Sequence, residues 1–346
     1  MSTERGRIRV SGFDTDRVTE RAELSDWSEA TTGGTESRWR RALRRFRQNR
    51  VAMLGVYVVV AMSLLSLFAR PVVVAGIPVQ PFSLAPYDPG QILYLEPGST
   101  VGRYDPPTLA HPMGTDASGR DLFSRVLVGG RYSLSIGFVV VGITATIGMI
   151  YGAVAGYYGG WVDEILMRFV DVIFAFPGLV LALVIVALLG GGYWQLVIAF
   201  VVPGWAGYAR LIRGEILSVK ENEYVLAARA LGARDRSVIF RHIVPNAIAP
   251  LIVQASLSIG TVVIGVAALG FLGLGFEPGT PEWGTMLDQT RETLVQGPGG
   301  SIPWWATVFP GGAIFLFVMA MNMIGDGVND ALDAQEVDSV QQGGGG

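Results

Sequence analysis

No cysteine occurs among the 346 residues, which excludes disulfides and thiolate metal sites whatever the redox compartment. Lysine is nearly as scarce: Lys220 is the only one, and it follows Val219. A phosphate-binding loop of the form Gly-x-x-x-x-Gly-Lys-Ser/Thr needs a glycine directly before its lysine. This chain therefore cannot supply that kind of ATP site. Histidine is confined to His111 and His242, both outside the long apolar stretches, and no zinc-binding helix motif is present. A membrane-embedded enzyme, which needs convergent catalytic groups at depth, finds little support.

Charge is the fourth scarcity. Only 16% of residues are charged while 50% are hydrophobic, and the mean hydropathy is +0.43; soluble domains carry charge on about a quarter of their residues. Five stretches hold no charge at all: between Arg50 and Arg70, Arg131 and Asp163, Asp171 and Arg210, His242 and Glu277, and Glu292 and Asp326. A bilayer helix needs about 20 apolar residues. The third stretch, as one helix, would run roughly 57 Å at about 1.5 Å per residue, against a hydrocarbon core near 30 Å. Gly190-Gly191-Gly192 sits near its middle and predicts a helical hairpin. Six spans follow, at about 51–75, 132–156, 172–189, 193–213, 247–270 and 305–325. The fold class is an all-α integral membrane protein. A secondary transporter or channel, the alternative transport class, usually places an ionisable residue inside a span; here Asp163, Glu164, Asp171 and Asp326 lie only at span edges.

An even number of spans puts both termini on one side. Seven arginines between Arg38 and Arg50 mark that side as cytoplasmic, as do the seven basic residues from Arg210 to Arg241. The first 37 residues are polar and acidic, without a signal-like apolar run, and read as a disordered cytosolic tail. The expected layout is that tail at 1–37, a basic segment and first span at 38–75, an external proline-rich segment at 76–131, a five-helix core at 132–335 with a cytosolic loop at 214–246, and a disordered tail at 336–346.

Outside the spans, the prolines from Pro78 to Pro112 rule out a continuous helix. Leu122, Phe123, Val126 and Leu127 predict a short amphipathic helix at the outer interface leading into span two. His111, Asp116 and Asp121 are residue types that ligate metals, but their run also fits a capped turn with Asp116 near a helix N-terminus, which is the reading adopted. Trp283, Trp304 and Trp305 read as interfacial anchors. Pro177 and Pro203 are expected to bend their helices.

The 221–236 segment predicts a short cytosolic helix ending at Gly232. Tyr224, Ala227, Ala228 and Leu231 fall at i, i+3, i+4 and i+7, giving one small apolar face. Such a face either packs beneath its own bundle or sits in another protein's groove.

At these residues the chain resembles the permeases of ATP-binding-cassette importers. Their inner loop carries Glu-Ala-Ala, three residues, Gly, and a Pro thirteen residues later. Ala227, Ala228, Gly232 and Pro245 match; Leu226 stands in the Glu position, with Glu223 one helical turn earlier. The chain is most similar to the second permease of the dipeptide, oligopeptide and nickel branch. The resemblance rests on Phe46 to Arg50, the Gly114-Thr115-Asp116 to Gly119-Arg120-Asp121 run, Tyr157 to Asp163, Phe240 to Asn246, Phe271 to Gly275, and Asn322 to Ala331 with Gly325-Asp326-Gly327.

The resemblance implies a non-enzymatic transport subunit in the plasma membrane that carries peptides or similar small solutes. Implied partners are a homologous second permease in a heterodimer, two cytosolic ATPases that bind ATP and magnesium, an extracellular solute-binding protein and membrane lipid, with no nucleic acid and no cofactor in this chain. It also implies an ATPase-coupling set of Glu223, Tyr224, Ala227, Ala228, Leu231, Gly232 and Pro245; the solute-contacting residues are left unassigned.

Overall fold

The computed structural model describes residues 38–74, 77–291, 293 and 302–343. The expected tail at 1–37 lies outside the described residues. The chain forms α1 (Arg38–Gln48), α2 (Arg50–Phe68), an antiparallel pair β1 (Val72–Val74) and β2 (Ile77–Gln80), α3 (Leu122–Tyr158), α4 (Gly160–Phe174), α5 (Gly178–Leu189), α6 (Tyr193–Val219), α7 (Glu223–Ala230), α8 (Asp235–Val238), α9 (Val244–Ala247), α10 (Ala249–Leu269), α11 (Trp283–Asp288) and α12 (Trp305–Gly343). Among the described residues, five helices are long and apolar enough to cross a membrane: α2, α3, α6, α10 with its following π-turn, and α12; the bent pair α4 and α5 supplies a sixth.

Span three differs from the sequence expectation. Helix α5 has only 12 residues, about 18 Å at about 1.5 Å per residue, too short to cross alone. It meets α4 at a 78° bend. Pro177 is the cause: it has no N–H to continue α4 and it disfavours helical geometry in the residue before it. Span two differs too. The expected interfacial helix is no separate element, because α3 runs unbroken for 37 residues from its Asp121 cap. Span one ends earlier than expected, at Phe68, ahead of Pro71. The last helix continues to Gly343 where a disordered tail from 336 was expected; no proline or glycine interrupts the sequence between Gly327 and Gly343.

The glycine hairpin between α5 and α6 forms as expected. Gly190 and Gly192 take φ +83° and +134°, and the Gly192 N–H donates to the Gly275 carbonyl at 3.1 Å.

The most extensive interface joins α3 and α6. Gly148, Gly152 and Gly156 form a stripe along α3; a Cβ on them would stand 2.4 Å from the Tyr208 Cβ, 2.3 Å from the Ala209 carbonyl oxygen and 3.0 Å from the Arg213 carbonyl oxygen, respectively. Small residues at this spacing let two backbones touch where lipid offers no hydrophobic drive.

Two arginines beside span two serve the fold. Arg131 donates to the carbonyls of Ser66 (2.8 Å), Leu67 (2.6 Å) and Arg70, capping the end of α2. Arg125 is fully buried, pairs with Asp116 at 3.1 Å and donates to the carbonyls of Pro89 and Gly279. Asp116 caps the turn that leads into α3, as the sequence suggested. Its carboxylate accepts from the Ser118 and Arg120 N–H groups and from the Arg120 guanidinium. The cap of α3 is Asp121, which accepts from the Ser124 N–H and stands 2.9 Å from His111 Nδ1. Trp283 and Trp305 are not interfacial anchors. Both are buried, their indole N–H groups donating to the carbonyls of Val126 and Thr115, and only Trp304 is exposed.

Candidate coupling helix and bundle cavity

Helix α7 starts after Asn222 and places Glu223 in its first turn, where the helix dipole favours a carboxylate. Its end is a complete left-handed cap. Leu231 leaves helical geometry, Gly232 takes φ +80°, its N–H donates to the Arg229 carbonyl (2.9 Å), and the Ala233 N–H donates to the Ala228 carbonyl (3.1 Å).

The helix faces two ways. Val225, absent from the expected coupling set, is completely buried and packs into a cluster with Tyr157, Ile212, Ile216, Val238 and Ile243. The opposite side is bare: Tyr224, Ala227 and Leu231 are exposed, Leu231 to 88%, and Ala228 is half-buried. Pro245 is exposed and opens α9 beneath α10. Expected face and observed anchor thus lie on different sides of one short helix. The signal for the anchor was a lone β-branched residue between two positions of the apolar stripe.

Polar contacts tie the segments flanking α7, and Arg229 of α7 itself, to the ends of the spans. The Tyr157 hydroxyl donates to Asp235 Oδ1 at 2.6 Å, and the Arg229 guanidinium lies 5.6 Å from the centre of the Tyr157 ring. Lys220 donates to the Gly156 carbonyl at 3.0 Å. Arg213 on α6 grips Asp163 on α4 through two contacts of 2.5 and 2.6 Å.

A cavity of about 440 Å³ lies between α3, α5, α6 and α10. Pro203, Gly204 and Tyr208 of α6 line it, together with Val140 and Thr144, Gly178 and Leu179, and Ser258, Thr261 and Gly265. No charged side chain lines it. Its polar groups are hydroxyls. Thr144 Oγ1 donates back to the Val140 carbonyl at 2.9 Å. The Tyr208 hydroxyl is buried without a hydrogen-bond partner among the described residues, although Thr144 and Ser258 flank it. These residues were not singled out from sequence; the available signal was four hydroxyl side chains inside otherwise apolar spans.

Glu282 caps α11. Its carboxylate accepts from the N–H groups of Gly284 and Thr285 and the hydroxyls of Ser133 and Thr285, at 2.8 to 3.1 Å. Burial pushes the Glu282 carboxyl above the usual carboxylate range, against the pull of those four donors.

Residues 148–336 match the family described as the binding-protein-dependent transport system inner membrane component, and residues 37–107 match the N-terminal transmembrane domain of oligopeptide transport permease C. The dipeptide transport system permease protein DppC of Alkalihalophilus pseudofirmus is 38% identical over 86% of this chain and 90% of its own. The glutathione transport system permease protein GsiD of Shigella dysenteriae is 41% identical over 85% and 90%, and GsiD of Escherichia coli O157:H7 gives the same values. A crystal structure of an amino acid ABC transporter aligns with a TM-score of 0.43 at 16% identity, over 59% of this chain and 92% of that one. The matched family works with solute-binding and ATP-hydrolysing partners and is a transport component, not an enzyme. With more than half its length matched and its apolar helices accounted for, this chain belongs to the binding-protein-dependent transport inner membrane components, as a multi-pass permease subunit of an ATP-driven importer.

Proposed function

We propose that this permease pairs with a homologous second permease and passes short peptides or similar small solutes, with both termini in the cytoplasm. The cargo follows from its dipeptide and glutathione relatives and suits an uncharged, hydroxyl-bearing cavity. Orientation follows from the arginines of α1 and of the loop at 214–246. In this reading 38–75 anchors the chain, 76–131 forms the external platform and 132–335 carries both cavity and coupling loop. ATP closure in the partner ATPases pushes α7 as a rigid body and tilts the attached spans, so that access to the cavity alternates.

The observation that carries the reading is the bare side of α7, an apolar face held on a capped, bundle-anchored helix. Glu223, Tyr224, Ala227, Ala228, Leu231, Gly232 and Pro245 are the coupling residues, and Val225 is their anchor. The test is Leu231→Asp in the assembled importer. Because Leu231 is 88% exposed, the bundle should keep its thermal unfolding midpoint, while transport falls about tenfold or more, as for a truncated interface anchor. Normal transport at normal expression contradicts the proposal.

A further inference from the structure

Helix α1 has a division of labour that topology alone does not explain. Its sequence, Arg-Trp-Arg-Arg-Ala-Leu-Arg-Arg-Phe-Arg-Gln, holds six arginines and no carboxylate. At about 100° per residue, Trp39, Ala42, Leu43 and Phe46 fall within a single arc of about 100°, and the arginines occupy the rest of the circumference.

The bundle covers only half of that apolar arc. Helix α1 packs against α12 and α2: Ala42 is buried, and Phe46 lies over Gly327, 3.3 Å from where a Cβ would stand. Trp39 and Leu43, on the other half, stay 47% and 50% exposed. Arg40 and Arg47, both exposed, border them on the side away from the bundle.

The position of the helix fixes what meets that face. Only Asn49 separates α1 from the start of span one. Its backbone leaves helical geometry at φ −75° and ψ 104°, its Oδ1 caps the Val51 and Ala52 N–H groups, and its Nδ2 donates to Asp330 at 3.3 Å. The joint is thus clamped, and α1 leaves span one at the level where the bilayer begins. A helix at that level, with a tryptophan and a leucine between arginines, matches the composition of helices that lie in the headgroup layer.

We infer that α1 is an interfacial lipid-binding helix: Trp39 and Leu43 enter the boundary of headgroups and acyl chains, while Arg40 and Arg47 bind the phosphates of anionic phospholipids. Such arginines each contribute about 1 kcal/mol at an anionic surface, so two of them change the bound population by about tenfold or more. The surface is independent of the cavity and of α7, and needs no assumption about cargo.

The absence of cysteine allows a unique probe. Spin labels are attached at Leu43→Cys, and separately at Arg41→Cys on the opposite side, in the full chain reconstituted in vesicles. The expected result in mixed phosphatidylcholine and phosphatidylglycerol is a label at 43 that relaxes with oxygen and a label at 41 that relaxes with a water-soluble nickel chelate. Adding Arg40→Gln and Arg47→Gln should move the label at 43 toward water by about tenfold in population, as should pure phosphatidylcholine, while Arg40→Lys with Arg47→Lys should restore insertion. The inference fails if the label at 43 stays in water in both lipid mixtures. It also fails if that label is shielded equally in both and ignores the charge variants, or becomes shielded only at high protein-to-lipid ratio or on adding ATPase subunits; those results assign the face to a second copy or a protein partner.

Discussion

The Tyr208 hydroxyl is buried at the wall of a cavity whose other polar side chains, Thr144, Ser258 and Thr261, are also hydroxyls. If that hydroxyl serves the passing solute, Tyr208→Phe should lower transport several-fold while the unfolding midpoint of the purified chain changes little. Unchanged transport would assign the hydroxyl to packing alone. Glu282 is a buried group with every partner in place. Its native carboxyl titrates above the unfolded value of about 4.3. Between those two values the native state holds more protons than the unfolded one, so stability is fully present below the unfolded value and falls as pH rises through the native value. Glu282→Gln cannot titrate. Its unfolding midpoint relative to the parent protein should therefore climb as pH rises from about 4 to 7.5; a difference that is flat, or that shrinks, would mean the four donors outweigh burial.

At the scale of single elements, sequence punctuation was the most legible feature. Gly190 to Gly192 turn the chain because two of them hold backbone angles that a Cβ opposes. Gly232 ends α7 for the same reason, and a Cβ added there would meet nothing within 4 Å. Substitution at Gly232 thus acts through backbone conformation, at about 1 kcal/mol, and not through a clash. Gly232→Val should weaken co-purification of the ATPases while the bundle unfolds at its usual temperature. Gly232→Asn, which tolerates the left-handed region, should retain most of it. Equal co-purification by the valine variant would make Gly232 a passive loop residue. Where elements departed from expectation, a longer-range cause was at work. Helix α3 absorbs the amphipathic segment at 122–127 because Asp121 caps its first turn and the buried Arg125 ties it to the carbonyls of Pro89 and Gly279. Pro177 bends the chain between α4 and α5, and Asp163 on α4 is held against α6 by Arg213.

For the molecule as a whole, composition and local pattern determined the class of protein, the number of apolar stretches, the glycine hairpin and the left-handed end of α7. These depend on groups close together in sequence: runs without charge, glycine at positive φ, proline without an N–H. The matched pattern of Ala227, Ala228, Gly232 and Pro245 marked the loop on which the coupling proposal rests. Tertiary structure alone decided the rest. Arg125 and Arg131 became caps and ties for carbonyls roughly 35 to 155 residues away, and two tryptophans that look like membrane anchors were buried inside the bundle. Val225, not the apolar stripe, holds α7 to the bundle, and Tyr208 shares a cavity with hydroxyls from two other helices. A side chain's chemistry is written in its own residue, but whether an arginine meets water, lipid or a bare carbonyl depends on which distant backbone the fold brings against it.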